Sequence, residues 1–282
     1  MLEQMTWIFL DGRVCDAASA RVPVLDRGFL YGDSVYEVTR TFDGRPHLLG
    51  PHLDRLERSA QGLYLALPPR TTIEAAIAEV VHAGTGHELY LRVIVTRGDG
   101  ELGLDPALAG EPRLVVVGRP VSPPPPSAYR DGVAVALSSR RRSSPELKTG
   151  NYLESVLAVR EARAAGAHEA LLRDGVGRIT EGSSSNVFAV IGGRVNTPPV
   201  SAGLLCGITR QSLIALARAS GLSVDEVPLW PADLERASEL FLTSSIRGVL
   251  PVTTLDGTPV GYGLPGPVTR RVMALYDEST RA

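Results

Sequence analysis

Five prolines between Gly118 and Ser127, in the run Gly-Arg-Pro-Val-Ser-Pro-Pro-Pro-Pro-Ser, constrain this chain more than any other stretch. Each proline lacks a backbone donor and fixes φ, so the run is expected to extend no sheet or helix and to connect two folded bodies. With 282 residues, 44% of them hydrophobic, the chain is long enough to bury more than one core. The sequence therefore divides into an N-terminal α/β domain at 1–118, a linker at 119–127 and a C-terminal α/β domain at 128–282.

Both halves mix strand and helix patterns. Trp7–Leu10 and Arg13–Cys15 flank Asp11-Gly12, a pair suited to a tight hairpin turn. Val35–Phe42, Leu89–Thr96 and Arg113–Val117 are rich in β-branched and aromatic residues and read as strands. Leu53, Leu56, Ala60 and Leu63 recur at helical spacing, with Arg55 well off that stripe. Further on, helices are expected at Tyr152–Ala165, Arg210–Ser220 and Val268–Glu278. Strands are expected near Val133–Leu137, Glu169–Leu172, Val187–Ile191 and Glu239–Thr243. No internal repeat is present, and the alternation lacks the repeating unit of a barrel.

Charge and cysteine usage exclude several function classes. A net charge of −2 gives no electrostatic footprint for nucleic acid or an acidic membrane surface. The one basic run, Arg140-Arg-Arg142, reads as a solvated loop or a wall near an anionic ligand. Cys15 and Cys206 have no metal-ligand spacing and read as idle thiols in a reducing compartment. No apolar stretch reaches membrane-spanning length, and Met5–Leu10 is too short and too acidically flanked for a signal peptide. A cytoplasmic protein without metal, nucleic-acid or membrane partners is expected. Gly261-Tyr-Gly-Leu-Pro-Gly266 fits G-x-G-x-x-G formally, but it holds a proline and too little chain follows it for a βαβ unit.

The residues that carry chemistry lie mostly beyond the linker. A lone lysine is ordinarily a solvated surface group, but Lys148 stands in Glu-Leu-Lys-Thr-Gly-Asn-Tyr-Leu, where a loop meets a helix opened by Tyr152. An amine placed there can be desolvated and act as a nucleophile and proton shuttle. Glu181 precedes Gly-Ser-Ser-Ser-Asn, a polar turn whose small residues also let backbone lie against a flat ring. Gly207-Ile-Thr-Arg210 precedes Leu213, Leu216 and Ala217, so its N–H groups face the positive end of a helix. Thr243-Ser-Ser245 ends a strand, where it can cap that strand or add hydroxyl donors, and Arg55 is a candidate phosphate clamp. An amine, a carboxylate and an anion-binding helix start are the three handles that pyridoxal phosphate requires.

In their order along the chain, these motifs resemble the class IV aminotransferases, the pyridoxal-phosphate enzymes of fold type IV. The resemblance runs from Asp26-Arg-Gly-Phe-Leu-Tyr-Gly-Asp33 through His52-Leu-Asp-Arg-Leu56 to Gly207-Ile-Thr-Arg210. It implies a two-domain α/β (α+β) fold, an obligate homodimer and a site in the cleft between domains. Lys148, carried by the C-terminal domain, is implied as the Schiff-base lysine and Glu181 as the partner of the pyridine nitrogen. Tyr152 is implied near the cofactor hydroxyl, Leu205 against the ring, and Arg55, Ile208, Thr209, Ser244 and Ser245 around the phosphate. Substrates would be amino acids and 2-oxo acids. Val35-Tyr-Glu-Val38 and Glu181–Phe188 look like D-amino-acid aminotransferases, with Tyr36 lining the substrate pocket. Tyr90-Leu-Arg-Val93 and Gly98–Asp105 look instead like branched-chain enzymes, although Thr243-Ser-Ser-Ile-Arg247 replaces their Gly-Thr-Ala loop. The order of expectation is an atypical D-amino-acid aminotransferase, then a branched-chain enzyme, then an (R)-amine transaminase or aminodeoxychorismate lyase. The Arg-x-His carboxylate trap of the usual D-amino-acid enzymes is missing after Arg97, which leaves Arg92 and Arg27, then Arg40 and Arg247, as candidates to hold the substrate carboxylate.

Overall fold

Asp11 and Gly12 turn as their residue types demand, both in the left-handed region at φ 50° and 82°. They fold β1 (Trp7–Leu10) back onto β2 (Arg13–Asp16) in this computed structural model, which describes residues 5–281. The first compact unit continues through the short α1 (Arg27–Tyr31), β3 (Ser34–Phe42), β4 (Arg45–Pro46), α2 (Leu49–Gly62), α3 (Arg70–Ala83), β5 (Leu89–Thr96) and β6 (Arg113–Pro120). Its sheet is antiparallel throughout, in the order β2-β1-β6-β5-β3-β4. Val35, Leu91, Val93 and Val95 from the sheet meet Leu53 and Leu56 of α2 and Ile73, Ile77 and Val80 of α3 in one core. Full burial of such a side chain stabilises by about 1.5–3 kcal/mol, which is what holds two helices on this sheet. Helix α3 is absent from the elements expected above, although Ile73, Ala76, Ile77 and Val80 repeat at helical spacing and are all buried.

The second unit contains α4 (Pro126–Arg130), β7 (Val133–Leu137), α5 (Leu153–Ala164), β8 (Glu169–Arg173), β9 (Ile179–Gly182), β10 (Asn186–Ile191) and β11 (Arg194–Thr197). It continues with α6 (Ile208–Ala219), β12 (Val224–Glu226), α7 (Pro231–Glu235), β13 (Glu239–Ser244), β14 (Gly248–Leu255), β15 (Thr258–Pro259) and α8 (Pro267–Ser279). The strands form a mixed sheet in the order β12-β11-β10-β13-β14-β7-β8-β9, with β15 on β14. One face carries Leu171, Val187, Leu240, Leu242 and Leu250. The other stacks Phe188 on Phe241 at 4.9 Å and packs them with Leu213 and Ile214 of α6 and Val272 of α8. Both units are therefore mixed α/β, as expected.

Two expectations about the organisation need correction. The proline run does not stay extended throughout. Arg119 and Pro120 pair with Tyr90 and Leu89 at the end of β6, where the N–H that proline lacks costs least, and Pro126 opens α4, where its missing donor has no helical partner to lose. The first unit ends at Ser122, but it takes back Leu147–Asn151, so Lys148 belongs to it and not to the C-terminal unit. The reason is backbone pairing. On the edge of β3 opposite β5, ahead of the Thr41–Phe42 stretch that pairs with β4, Tyr36 N–H donates to the Lys148 carbonyl at 3.0 Å and Gly150 N–H to the Ser34 carbonyl at 3.0 Å. No helix among the described residues is long and apolar enough to cross a membrane, and Cys15 and Cys206 form no disulfide.

Candidate active site

Alternation along β3 sends Tyr36, Val38 and Arg40 to one face of the first sheet and Glu37, Thr39 and Thr41 to the other. The antiparallel register with β5 sets Ile94 opposite Tyr36, Arg92 opposite Val38 and Tyr90 opposite Arg40. Arg92 thus lies diagonally across from Tyr36, and its guanidinium sits 4.3 Å from the centre of that ring. Lys148, delivered by the segment clipped to β3, places Nζ 3.0 Å from the Tyr36 hydroxyl and 4.4 Å from the ring centre. The backbone N–H of Lys148 donates to Ser59 Oγ of α2 at 3.1 Å. An amine, a phenol and a guanidinium therefore converge on one half-buried patch, on the face where alternation put Arg92.

On the opposite face, Glu37 is 2% exposed and meets α2. Its Oε1 accepts from Arg55 Nε at 2.7 Å, and its Oε2 accepts from Arg55 Nη2 at 2.8 Å and from His52 Nδ1 at 2.7 Å. Burial alone would raise this carboxyl, but the Arg55 guanidinium overrides it and holds the group at about 2. Burial pushes His52 below its ordinary value, so its neutral ring donates Nδ1–H to Glu37. Arg55 was expected well off the apolar stripe of its helix. It is instead buried beside Leu56, because a carboxylate on the sheet beneath neutralises it.

The other arginines of this unit differ in how far they are committed. Arg27 is 3% exposed and gives Nε to Asp33 at 3.1 Å, Nη1 to the Gly103 carbonyl at 2.9 Å and Nη2 to the Leu104 carbonyl at 3.3 Å. It braces the Gly98–Asp105 loop, and it can take a carboxylate only by exchanging those carbonyls. Arg40 shares the face of Tyr36, with its guanidinium 4.3 Å from the Phe42 ring centre.

In the second unit Glu181 lies in β9 and not in a turn, and it is buried. Its Oε2 accepts the Leu205 N–H at 3.1 Å and its Oε1 accepts Arg142 Nη1 at 3.0 Å. Arg142 is thus tied to the acid, while Arg140 pairs with Glu154 and Glu161. The Leu205 carbonyl in turn accepts from Asn186 Nδ2 at 2.9 Å. Residues 205–207 therefore hang between Glu181 and Asn186, and from them α6 begins. Gly207 is its N-cap, no side chain caps it, and a Cβ there would collide with Asn186 Oδ1. Ile208 and Thr209 head the helix, where first-turn N–H groups lack intrahelical partners.

Tyr152 is the N-cap of α5, and its phenol is pushed up to about 12 by burial and by the charges of Glu181 and Glu169, so it stays protonated. Ser244 ends β13 and Ser245 follows it. Arg247 donates Nε to Ser244 Oγ at 3.0 Å, Nη1 to Glu169 Oε2 at 2.5 Å and Nη2 to Ser184 Oγ at 3.0 Å. All three of its side-chain nitrogens are engaged in this way, so it can take a substrate carboxylate only by exchanging one of these partners.

These residues suit pyridoxal phosphate. An uncapped twelve-residue helix start matches a phosphate, a buried anionic carboxylate matches a ring N–H, and the glycine at 207 leaves space where a side chain would intrude.

Comparison with known proteins agrees. The family model for amino-transferase class IV matches residues 34–255. The chain belongs to the class IV aminotransferases. A putative branched-chain-amino-acid aminotransferase of Methanocaldococcus jannaschii is 38% identical, over 96% of this chain and 95% of that protein. The D-alanine aminotransferase of Bacillus licheniformis is 31% identical, over 96% of each. Among solved structures, the Escherichia coli branched-chain amino acid aminotransferase superposes with a TM-score of 0.89 at 31% identity, covering 95% of this chain and 92% of that one. The T.th. branched-chain enzyme with pyridoxamine 5'-phosphate gives 0.91 at 32%, covering 98% and 94%. The aminotransferase is thus an enzyme that works with pyridoxal 5'-phosphate.

The sequence gives no role to Glu37, Glu169 or Asn186, and it shows Arg142 only as part of a basic run. The signal for Glu169 was present, since an acid opening the apolar run Glu-Ala-Leu-Leu is out of place unless paired. For the other three, only the long-range register supplies the partner.

Proposed function

We propose that this aminotransferase moves an amino group between D-amino acids and 2-oxo acids, with the patch of Tyr36, Arg92 and Lys148 as the observation that carries the reading. The cofactor supplies an electron sink for the charge left on the substrate Cα. Lys148 Nζ serves as the covalent anchor and, once released, carries the proton to and from Cα. The Tyr36 hydroxyl, already bonded to Nζ, holds that amine in place.

Glu181 would pair with the ring N–H, Tyr152 would donate its retained proton to the phenolic oxygen, and Leu205 would lie against the ring. The α6 start with Ile208 and Thr209, together with Ser244 and Ser245, would take the phosphate, and Arg55 is the first unit's candidate for it. Arg92 is the candidate for the substrate carboxylate, because a desolvated carboxylate needs a forked, charged donor. Arg40 on the same face and Arg27 are secondary. The D reading is supported by Val35-Tyr-Glu-Val38 and by the Ser-Ser-Ile-Arg turn, whose arginine is held by Glu169 and Ser184. A branched-chain L-amino-acid reading stands second, favoured by the 38% identity to the Methanocaldococcus protein. A homodimer is proposed as well, supported by the exposed Val24, Phe29, Leu102 and Leu104 of the first unit.

The test is a half-reaction screen of D- and L-amino acids, read as the change in absorbance of the bound cofactor. D-alanine and D-glutamate reacting faster than L-leucine and L-valine support the proposal. The reverse order selects the branched-chain reading, and no reaction with any amino acid overturns both.

A further inference from the structure

Glu169 of the second unit is heavily engaged, and the roles proposed above draw on it only as the partner of Arg247. It opens β8 and is 2% exposed. Four donors from the turn between β9 and β10 converge on its Oε1: the Ser184 N–H at 2.7 Å, Ser185 Oγ at 2.9 Å, Ser184 Oγ at 3.2 Å and Ser183 Oγ at 3.3 Å. Its Oε2 accepts Arg247 Nη1 at 2.5 Å. Gly182 leaves the room this requires, since a Cβ there would lie 2.7 Å from Glu169 Oε1.

Arg247 then spreads the constraint. It donates to the Ser184 carbonyl at 3.2 Å and hydroxyl at 3.0 Å, and through Nε to Ser244 Oγ at 3.0 Å. One buried charge thus ties three things: the turn that follows Glu181, the turn that joins β13 to β14, and the hydroxyl of Ser244. A buried carboxylate with this many partners is stable only when all of them are in place, so the two turns hold each other in one arrangement.

We propose that Glu169 is a positioning residue for cofactor binding, fixing Ser244 and Ser245 for the phosphate through Arg247 while it holds the serine turn behind Glu181. This rests on the reading of Ser244 and Ser245 as phosphate partners given above. Glu169 touches neither cofactor nor substrate in this role. It acts through Arg247, and its loss is felt at the phosphate end of the cofactor.

The experiment titrates full-length enzyme, stripped of cofactor, with pyridoxal 5'-phosphate and separately with pyridoxal. Wild type, Glu169→Gln, Arg247→Lys and the double variant Ser244→Ala/Ser245→Ala are compared by fluorescence and by melting temperature. Glu169→Gln is expected to weaken pyridoxal phosphate binding by about tenfold or more, the range of a lost charge-assisted bond, and pyridoxal binding by less than about threefold. Arg247→Lys keeps the charge but loses the fork, and it should show the same pattern in case Glu169→Gln does not accumulate as folded protein. Equal losses for both ligands mark a general structural role and overturn the proposal. Wild-type affinity in both hub variants, beside a weakened serine variant, overturns it alone. A serine variant that binds pyridoxal phosphate normally overturns the phosphate assignment and the proposal with it.

Discussion

Lys148 and Tyr36 are joined twice, once through backbone, where the Tyr36 N–H donates to the Lys148 carbonyl at 3.0 Å, and once through side chains, where Nζ meets the phenol at 3.0 Å. The backbone bond fixes where the lysine stands, and the phenol fixes where its amine points. Tyr36→Phe removes only the second. Its kcat/KM for amino acids is expected to fall by about tenfold, the scale of a hydrogen bond to a charged group, with the melting temperature unchanged. Steady-state kinetics beside a thermal melt checks this, and wild-type kcat/KM would sink it.

Lys148→Ala is expected to lose the covalent cofactor link and turnover while remaining folded, because the clip to β3 is made by the backbone of residues 148–150. Borohydride treatment followed by intact-mass measurement reads the link directly. Lys148 is the only lysine in the sequence, so a surviving adduct with normal turnover would overturn a lysine anchor altogether.

Glu181→Gln keeps the volume and leaves an oxygen to accept the Leu205 N–H, but it removes the negative charge. A reduction in kcat of roughly two orders of magnitude or more is expected, in line with loss of an electrostatic contact at a reacting centre. Unchanged turnover would move the role to another carboxylate.

Arg92→Ala separates substrate binding from scaffold. KM for amino acids should rise by at least about tenfold, since a hydrogen bond to a charged group contributes roughly 1.5–3 kcal/mol. Amines without a carboxylate should be far less affected. If D-alanine and (R)-1-phenylethylamine are both substrates and suffer equally, Arg92 supports the fold or the cofactor instead.

Acid stability should report on Glu37. Its carboxyl is held at about 2 in the folded chain against an ordinary 4.5. The stabilisation is therefore present in full above about pH 4.5 and is lost as pH falls toward about 2. By linkage it is worth on the order of 3 kcal/mol. Circular dichroism along an acid titration should show wild type losing stability across that window and Glu37→Gln, already weaker at neutral pH, losing less. Parallel curves would show that other carboxylates set the acid limit.

Local chemistry made much of this fold readable. The Asp11-Gly12 turn, the strand at Leu89–Thr96 and the helix over Pro267–Ser279 all follow from residue type and period. Helix α3 has the same clarity, with Ile73, Ala76, Ile77 and Val80 at helical spacing. What could not be read depends on partners distant in the chain. The sequence shows Arg55 as an off-stripe cation because its neutralising Glu37 lies on another element, eighteen residues earlier. Glu181 reads as part of a polar turn because the strand pairing that makes it β9 comes from β8. Strand β14 carries Pro251 in its interior and breaks the usual pattern. The motif residues themselves were legible, but which arginines are already committed was not.

The excursion of Leu147–Asn151 means that the chain changes unit three times, after Ser122, after Glu146 and after Asn151. No single crossover in the gene therefore yields either half intact. A recombinant carrying residues up to Ser122 from one parent and the remainder from another inherits Lys148 from the second parent and the strand edge that seats it from the first. Compatibility at five residues, more than the choice of junction, then decides whether such a chimaera can place its amine.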